Sequence, residues 1–275
     1  MLLEDPGAVE AVHLAFLEAG ADCVTTATYQ ATFEGLAARG VGGSRAEAVM
    51  RGAVDLAVRA RDRFLASPGC RETRLPPLVA ASVGPYGAFL ADGSEYRGDY
   101  AIGRDALADF HRRRWQLLAR TGADILACET LPSFAEARVL ARLARDIPDK
   151  PAWFSFTCRD EGHLSDGTPI GVVAQWADED PGVTAVGVNC TGAAFVPALV
   201  GALAGGTRKP VIAYPNAGGA YDPHSRRWAA AEPVVDWKEA CRGWIAAGAE
   251  VVGGCCRAGP DDIRQMRAAL MPSPA

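Results

Sequence analysis

Apolar positions along the chain follow two periods in turn. Segments with an apolar residue every three to four positions predict amphipathic helices over about 7–20, 44–66, 104–121, 168–179, 193–204, 236–247 and 261–270, with a further helix capped by Ser133. Between them lie short, nearly continuous apolar runs. These predict buried strands over 23–29, 78–84, 124–130, 152–157, 183–190, 211–216 and 250–254. Ser44, with Glu47 three residues on, has the form of a capping box. Three helix-to-strand junctions repeat one phrase: Glu18-Ala-Gly-Ala-Asp22, Arg120-Thr-Gly-Ala-Asp124 and Ala246-Ala-Gly-Ala-Glu250. In each, a glycine suits the end of a helix and an acidic residue precedes the strand.

Alternation of helices with apolar strands is the pattern of a parallel sheet covered by helices. The expectation is an α/β fold, a (β/α)8 TIM-type barrel forming a single domain over residues 1–275. The pattern yields eight helices but seven strands, because it opens on a helix, so the first β-strand of such a barrel is missing from this chain. Strands 23–29 and 251–255 are then expected to be unpaired on one side, and open edges favour self-association.

Composition narrows the function. With 49% hydrophobic and 22% charged residues, the chain reads as globular and soluble. A net charge of -5 argues against a broad basic face for nucleic acid, and the one dense basic run, Arg112–Arg114, reads as a solvated helix face. No apolar run approaches the ~20 residues of a membrane span, and Met1-Leu-Leu-Glu-Asp-Pro6 lacks the features of a signal segment, so a cytoplasmic location is expected. Of eight cysteines, Cys23, Cys128 and Cys158 sit in apolar runs as small hydrophobes, Cys70 in a polar loop and Cys241 in a helix.

The remaining three cysteines fall elsewhere on their strands. Active sites of such barrels form at the carboxyl ends of the strands. Those ends carry Thr28 and Tyr29, Ser82 and Tyr86, Glu129 and Thr130, Thr157, Asn189 and Cys190, Tyr214 and Asn216, and Cys255 and Cys256. Three thiolates form a soft set that suits Zn²⁺, with an open fourth position for a thiol substrate. Adjacent cysteines point to opposite faces of a regular strand, so joint ligation requires the chain to curl at Gly253-Gly254. A Cys255–Cys256 disulfide, or a structural zinc with a fourth protein ligand, are alternatives. Glu129 could hold a substrate ammonium or pair with an arginine, and the tyrosine rings could face a cationic sulfonium or form pocket wall. His13 and His111 read as surface or packing residues in helices, and His163 and His224 lie in loops at the rim. No phosphate-binding glycine loop and no Gly-x-Ser-x-Gly elbow occurs.

Gly187-Val-Asn-Cys190 together with Gly253-Gly-Cys-Cys256 resembles the zinc signature of the homocysteine S-methyltransferase family. The likeness extends to Thr25–Gln30, Ala81–Gly87, Asp92–Asp99, Glu129-Thr130, Tyr214-Pro-Asn216 and Tyr221-Asp222, closest to the branch that uses S-methylmethionine or S-adenosylmethionine without cobalamin. The resemblance implies that Cys190, Cys255 and Cys256 bind Zn²⁺ and act in catalysis, and that Glu129 and Asn189 help hold homocysteine. It also puts Thr26 and Ser82 in the substrate pocket, and Tyr86 and the Asp92–Asp99 loop near the methyl donor. The implied partners are therefore small molecules, homocysteine and a sulfonium, with no nucleic acid and no membrane. An alternative is a non-catalytic zinc- or thiol-binding relative that lost turnover with its first strand.

Overall fold

The computed structural model describes residues 2–68, 74–218 and 235–271, with the backbone of 221–222 and 227–228. Cys70, His224 and the side chains of Tyr221 and Asp222 lie outside the described residues. The helices are α1 (Pro6–Ala19), α2 (Phe33–Ala37), α3 (Gly43–Leu65), α4 (Tyr86–Leu90), α5 (Arg104–Ala119), α6 (Phe134–Arg145), α7 (Ile170–Glu179), α8 (Val196–Ala204), α9 (Trp237–Ala247) and α10 (Pro260–Leu270). Among the strands, β1 (Cys23–Thr25), β2 (Leu78–Val83), β3 (Ile125–Leu131), β4 (Ala152–Phe156), β5 (Ala185–Asn189) and β6 (Val211–Tyr214) pair in chain order, all parallel. The strands β7 (Tyr221–Asp222) and β8 (Arg227–Trp228) form a separate antiparallel hairpin, and β9 (Val251–Val252) closes the order beside β6. The result is a curled parallel sheet of seven strands, a TIM-type barrel short of one. Among the described residues β1 pairs only with β2 and β9 only with β6, as expected for an open barrel.

Strand pleating sorts side chains onto two faces. Val79, Ala81 and Val83 of β2, Leu126 and Cys128 of β3, Phe154 and Phe156 of β4, and Val186 and Val188 of β5 pack outward against the helices as the main core. The inner face is narrower. Ala80, Ala127 and Ala185 leave room there for Trp153 and Ile212, so the lower interior is filled by side chains. Continuing the same alternation upward puts Ser82, Glu129, Ser155, Gly187 and Tyr214 on the inner face, which is where the site begins.

Several local expectations change. β1 ends at Thr25, because the hydroxyls of Thr26 and Thr28 bond each other at 2.7 Å and turn the chain away, with Thr28 donating to the Ser82 carbonyl. α3 starts after Gly42 with no side-chain cap, so Ser44 and Glu47 make no capping box, and Glu47 pairs with Arg113 instead. Gly20 and Gly248 do end their helices in the left-handed conformation, each at φ 113°. Gly122 does not cap its helix, which ends at Ala119 with Arg120 as the cap. The Arg112–Arg114 run is not wholly solvated: Arg114 is 1% exposed. Helical periodicity explains this, since Arg114 shares the inward stripe of α5 with Leu107, His111, Trp115 and Leu118. No described helix is long and apolar enough to cross a membrane.

Candidate active site

The upper inner face is a chain of hydrogen bonds. Ser82 of β2 donates to Oε1 of Glu129 on β3, and the Tyr214 hydroxyl on β6 donates to Oε2 at 3.1 Å. Tyr214 in turn meets Ser155 of β4 and accepts from Trp153 Nε1 at 3.1 Å. Side chains from four strands, β2, β3, β4 and β6, therefore hold one carboxylate across the inner face. Burial pushes the pKa of Glu129 up, while the bonds from Ser82 and Tyr214 act against that shift. No arginine pairs with Glu129 among the described residues, which leaves it available to a cationic substrate group.

Above this layer the strands end in sulfur. Cys190 follows β5, and its Sγ lies 3.5 Å from Cys256 Sγ; the Sγ atoms of Cys190, Cys255 and Cys256 all lie within 4.8 Å of one another. β9 stops at Val252, so both vicinal cysteines sit beyond the sheet, and Gly253-Gly254 carries the curl that brings them to one side. A Cβ on Gly254 would lie 2.3 Å from that of Ala258, so this turn has no room for a larger residue. The segment after β6 cradles the turn: Cys255 N donates to the Pro215 carbonyl at 2.8 Å, and Ala217 N to the Cys256 carbonyl at 3.0 Å. That is the structural reason for Tyr214-Pro-Asn216. All three cysteines are free thiols, so the disulfide alternative is not realised. Hydrogen bonding from Cys190 and Cys255 pulls the Cys256 thiol well down, and Cys255 is pushed up as donor to Cys190 and Cys256.

Asn189, fully buried at the end of β5, is the hinge between the two layers. Its Oδ1 accepts from Thr130 N and its Nδ2 donates to Thr130 Oγ1, both at 2.7 Å, with Nδ2 also 3.9 Å from Cys255 Sγ. Thr130 and Cys190 have φ of 59° and 52°, and Arg257, next to the cysteine pair, 68°. Left-handed backbone at non-glycine residues, a β-branched threonine above all, is strained by about 1–3 kcal/mol each and persists where surrounding bonds fix it. Here such residues stand at the exits of the strands that carry Glu129 and the sulfurs.

A second buried network lies behind the β2 exit. Glu136 on α6 accepts from Tyr86 N at 2.7 Å, from the Tyr100 hydroxyl, and from His111 Nε2 at 2.7 Å. Arg114 donates to His111 Nδ1 at 3.0 Å and to the Gly84 carbonyl at 2.6 Å. With Nδ1 accepting, His111 carries its proton on Nε2 and is neutral, in line with the burial that lowers its pKa. The network bolts the Gly84–Tyr86 turn and the Tyr100 loop to the helix layer. The Tyr86 ring packs on Phe89, Tyr100 and Phe110 as pocket wall. From the Asp92–Asp99 loop, Tyr96 places its hydroxyl 3.6 Å from Cys190 Sγ.

Of the residues expected at the site, the structure brings together Cys190, Cys255, Cys256, Asn189, Glu129 and Ser82. Thr26 is buried with its hydroxyl occupied by Thr28 and the Ser82 amide, so it ties β1 to β2. Tyr86 sits one layer out, and His163 is bound to Asp160 in a half-exposed loop. The sequence reading missed Ser155, Trp153, His111, Arg114 and Glu136. A signal was present for two of them: Ser155 is the polar inward position of β4, and Glu136 shares a helical stripe with Leu140 and Leu143.

Fold and site define a barrel enzyme with a three-cysteine centre at the carboxyl rim of its sheet. A sequence profile of the homocysteine S-methyltransferase family matches residues 1–270. A homocysteine S-methyltransferase of Bacillus subtilis is 45% identical over 98% of this chain and 85% of its own length. That of Escherichia coli is 46% identical over 98% and 86%. A selenocysteine Se-methyltransferase of Brassica oleracea is 41% identical over 98% and 81%. The crystal structure of the homocysteine methyltransferase MmuM from Escherichia coli in its metallated form superposes with a TM-score of 0.86 at 44% identity, covering 97% of this chain and 86% of that one. The chain belongs to the homocysteine S-methyltransferase family.

Proposed function

We propose that this enzyme moves a methyl group from a sulfonium, S-methylmethionine or S-adenosylmethionine, to the thiol of L-homocysteine, with Zn²⁺ held by Cys190, Cys255 and Cys256. The observation that carries this reading is the convergence of three sulfurs within 4.8 Å of one another on the rim that also carries a buried carboxylate, which pairs with no arginine among the described residues. The donor set fits zinc. Tetrahedral ligation at about 2.3 Å sets sulfurs about 3.8 Å apart, and the Cys190–Cys256 pair stands at 3.5 Å. Bound there, zinc supplies the Lewis acidity that keeps an incoming thiol deprotonated near neutral pH.

The chain's own groups do the rest. Glu129, fixed by Ser82 and Tyr214, receives the homocysteine ammonium, and Asn189 fixes the strand exits so that substrate sulfur and cysteines share one face. The aromatic wall of Tyr86, Tyr96 and Tyr100 excludes water from the donor side. In the transfer, a sulfur lone pair of homocysteine forms the new S–C bond. The donor's S–CH3 bond breaks, its electron pair returns to the donor sulfur, and the thiol proton leaves to solvent. Alignment of the two sulfurs supplies most of the rate.

The test combines metal analysis with methionine formation from homocysteine and each donor. Wild-type protein should carry one zinc per chain and turn over, and Cys256→Ser should lose both. Full turnover in Cys256→Ser, or in protein stripped of metal, would sink the proposal.

A further inference from the structure

One buried carboxylate near the sulfurs has no role in the chemistry so far. Glu95 lies in the short 3-10 helix Ser94–Tyr96, pressed against α4 so closely that a Cβ on Gly87 would come within 2.5 Å of the Glu95 amide nitrogen. Glu95 is 9% exposed, and its Oε2 is sealed from solvent without a hydrogen-bond partner among the described residues. Burial raises its pKa, with backbone amides of Glu95 and Gly93 acting against the shift. Neighbouring cations do not pair with it. Arg97 is turned out to Asp99 and the Asp92 carbonyl, and Arg114 is spent on Gly84 and His111. A carboxylate oxygen that is both desolvated and unpaired is disfavoured until a cation reaches it.

Its position says which cation. The next residue is Tyr96, whose hydroxyl stands 3.6 Å from Cys190 Sγ. The buried hydroxyl of Tyr29, which burial first pushes up, also feels Cys190, Glu129 and Glu95. Glu95 therefore stands next in the chain to a residue that reaches the sulfurs, and its charge acts on the same buried Tyr29 hydroxyl as Cys190 and Glu129 do.

We propose that Glu95 is the specificity-determining residue for the methyl donor, its free oxygen receiving the positive charge of the sulfonium. This rests on the sulfonium-dependent transfer proposed above. The donor sulfur is cationic before transfer, and it becomes a neutral thioether once the S–CH3 bond breaks and its electron pair returns. The attraction to Glu95 is thus present for the donor and absent for the demethylated product, so the carboxylate selects sulfonium over thioether and lets the product go. Because the donor sulfur still carries most of its positive charge in the transition state, the contact is made about equally in the bound donor and in the transition state, so it acts on KM and little on kcat.

The experiment measures equilibrium binding and kinetics on the zinc-loaded protein. By calorimetry without homocysteine, wild type should bind S-methylmethionine at least tenfold more tightly than methionine, which differs by the methyl group and its charge. Glu95→Gln should erase that preference, and Glu95→Asp should restore part of it. In turnover, Glu95→Gln should raise the donor KM about tenfold or more, leaving homocysteine KM, zinc content and kcat within about twofold. Equal binding of the two ligands by wild type overturns the proposal, as does Glu95→Gln that keeps the preference or raises both KM values together. If wild type prefers the sulfonium yet forms no methionine, the transfer reading fails and the Glu95 assignment stands.

Discussion

Replacing Asn189 by alanine tests the claim that one amide holds the strand exits in place. The substitution removes two hydrogen bonds of 2.7 Å to Thr130, both inside a region closed to solvent. The Thr130 amide is then a buried donor without a partner, at about 1–3 kcal/mol, and loss of the second bond adds about 1 kcal/mol. The expected destabilisation is therefore about 2–4 kcal/mol. Part of it is returned if Thr130 leaves its strained φ of 59° for an ordinary conformation, and that relaxation would move the neighbouring Glu129. The amide also lies 3.9 Å from Cys255 Sγ, so zinc affinity should fall, by about 10–100-fold on the scale of lost second contacts to metal ligands. Urea unfolding of the metal-free protein gives the first quantity, read from the midpoint at unchanged slope. Chelator competition gives the second. Wild-type stability together with wild-type zinc affinity in Asn189→Ala would refute the reasoning, because both bonds would then be worth nothing.

Four further substitutions separate causes. For Glu129→Gln, burial holds the folded pKa of the carboxyl above its unfolded value; the folded state then binds the extra proton, and stability is lost as pH rises from the unfolded pKa through the folded one. The glutamine variant should be more stable than wild type at pH 7 and lose that advantage at pH 4, while homocysteine KM rises; equal unfolding midpoints at both pH values would contradict this. Arg114→Ala should cost about 3–5 kcal/mol, since it strips a buried network that includes Glu136, whereas Arg113→Ala, at an exposed pair with Glu47, should cost under about 1 kcal/mol. Comparable melting shifts for the two would refute that contrast. In Gly187→Ala, the new Cβ would come within 1.9 Å of the Ile212 carbonyl of the adjacent strand, so β5 and β6 must move apart. A loss of about 3 kcal/mol or more is expected, with weaker metal retention; a variant as stable as wild type would show that the two strands slide freely.

Most of the architecture was legible in the pattern of the chain. Alternating periods specify helices and buried strands because a strand buried on both faces must be apolar almost throughout, and a helix beside it needs one apolar stripe. Parallel pairing and chain-order neighbours follow from the crossovers. The sulfurs were legible too, since cysteines just past strand ends have no packing reason to be there, and Gly253-Gly254 marks the curl that unites Cys255 with Cys256. Local caps and strand ends were less so. Thr26 and Thr28 end β1 through hydroxyl bonds that compete with the ladder, and Gly42 starts α3 without help from Ser44.

What only the tertiary structure decided is which polar groups face one another. Arg114 looks like its neighbours Arg112 and Arg113 in the sequence, and only the turn of α5 against the sheet separates the buried guanidinium from the solvated ones. Glu129, Glu136 and Glu95 are equivalent letters, yet each is buried by different strands and loops. Glu129 is held by residues 47 and 85 positions away, Glu136 by Tyr86, Tyr100 and His111, and the Oε2 of Glu95 by no described group. Pattern along a chain records periodicity, a property of near neighbours in sequence. Partnership among buried charges depends on distances across the fold, set by strand register and helix rotation, and so it appears only once the sheet has curled.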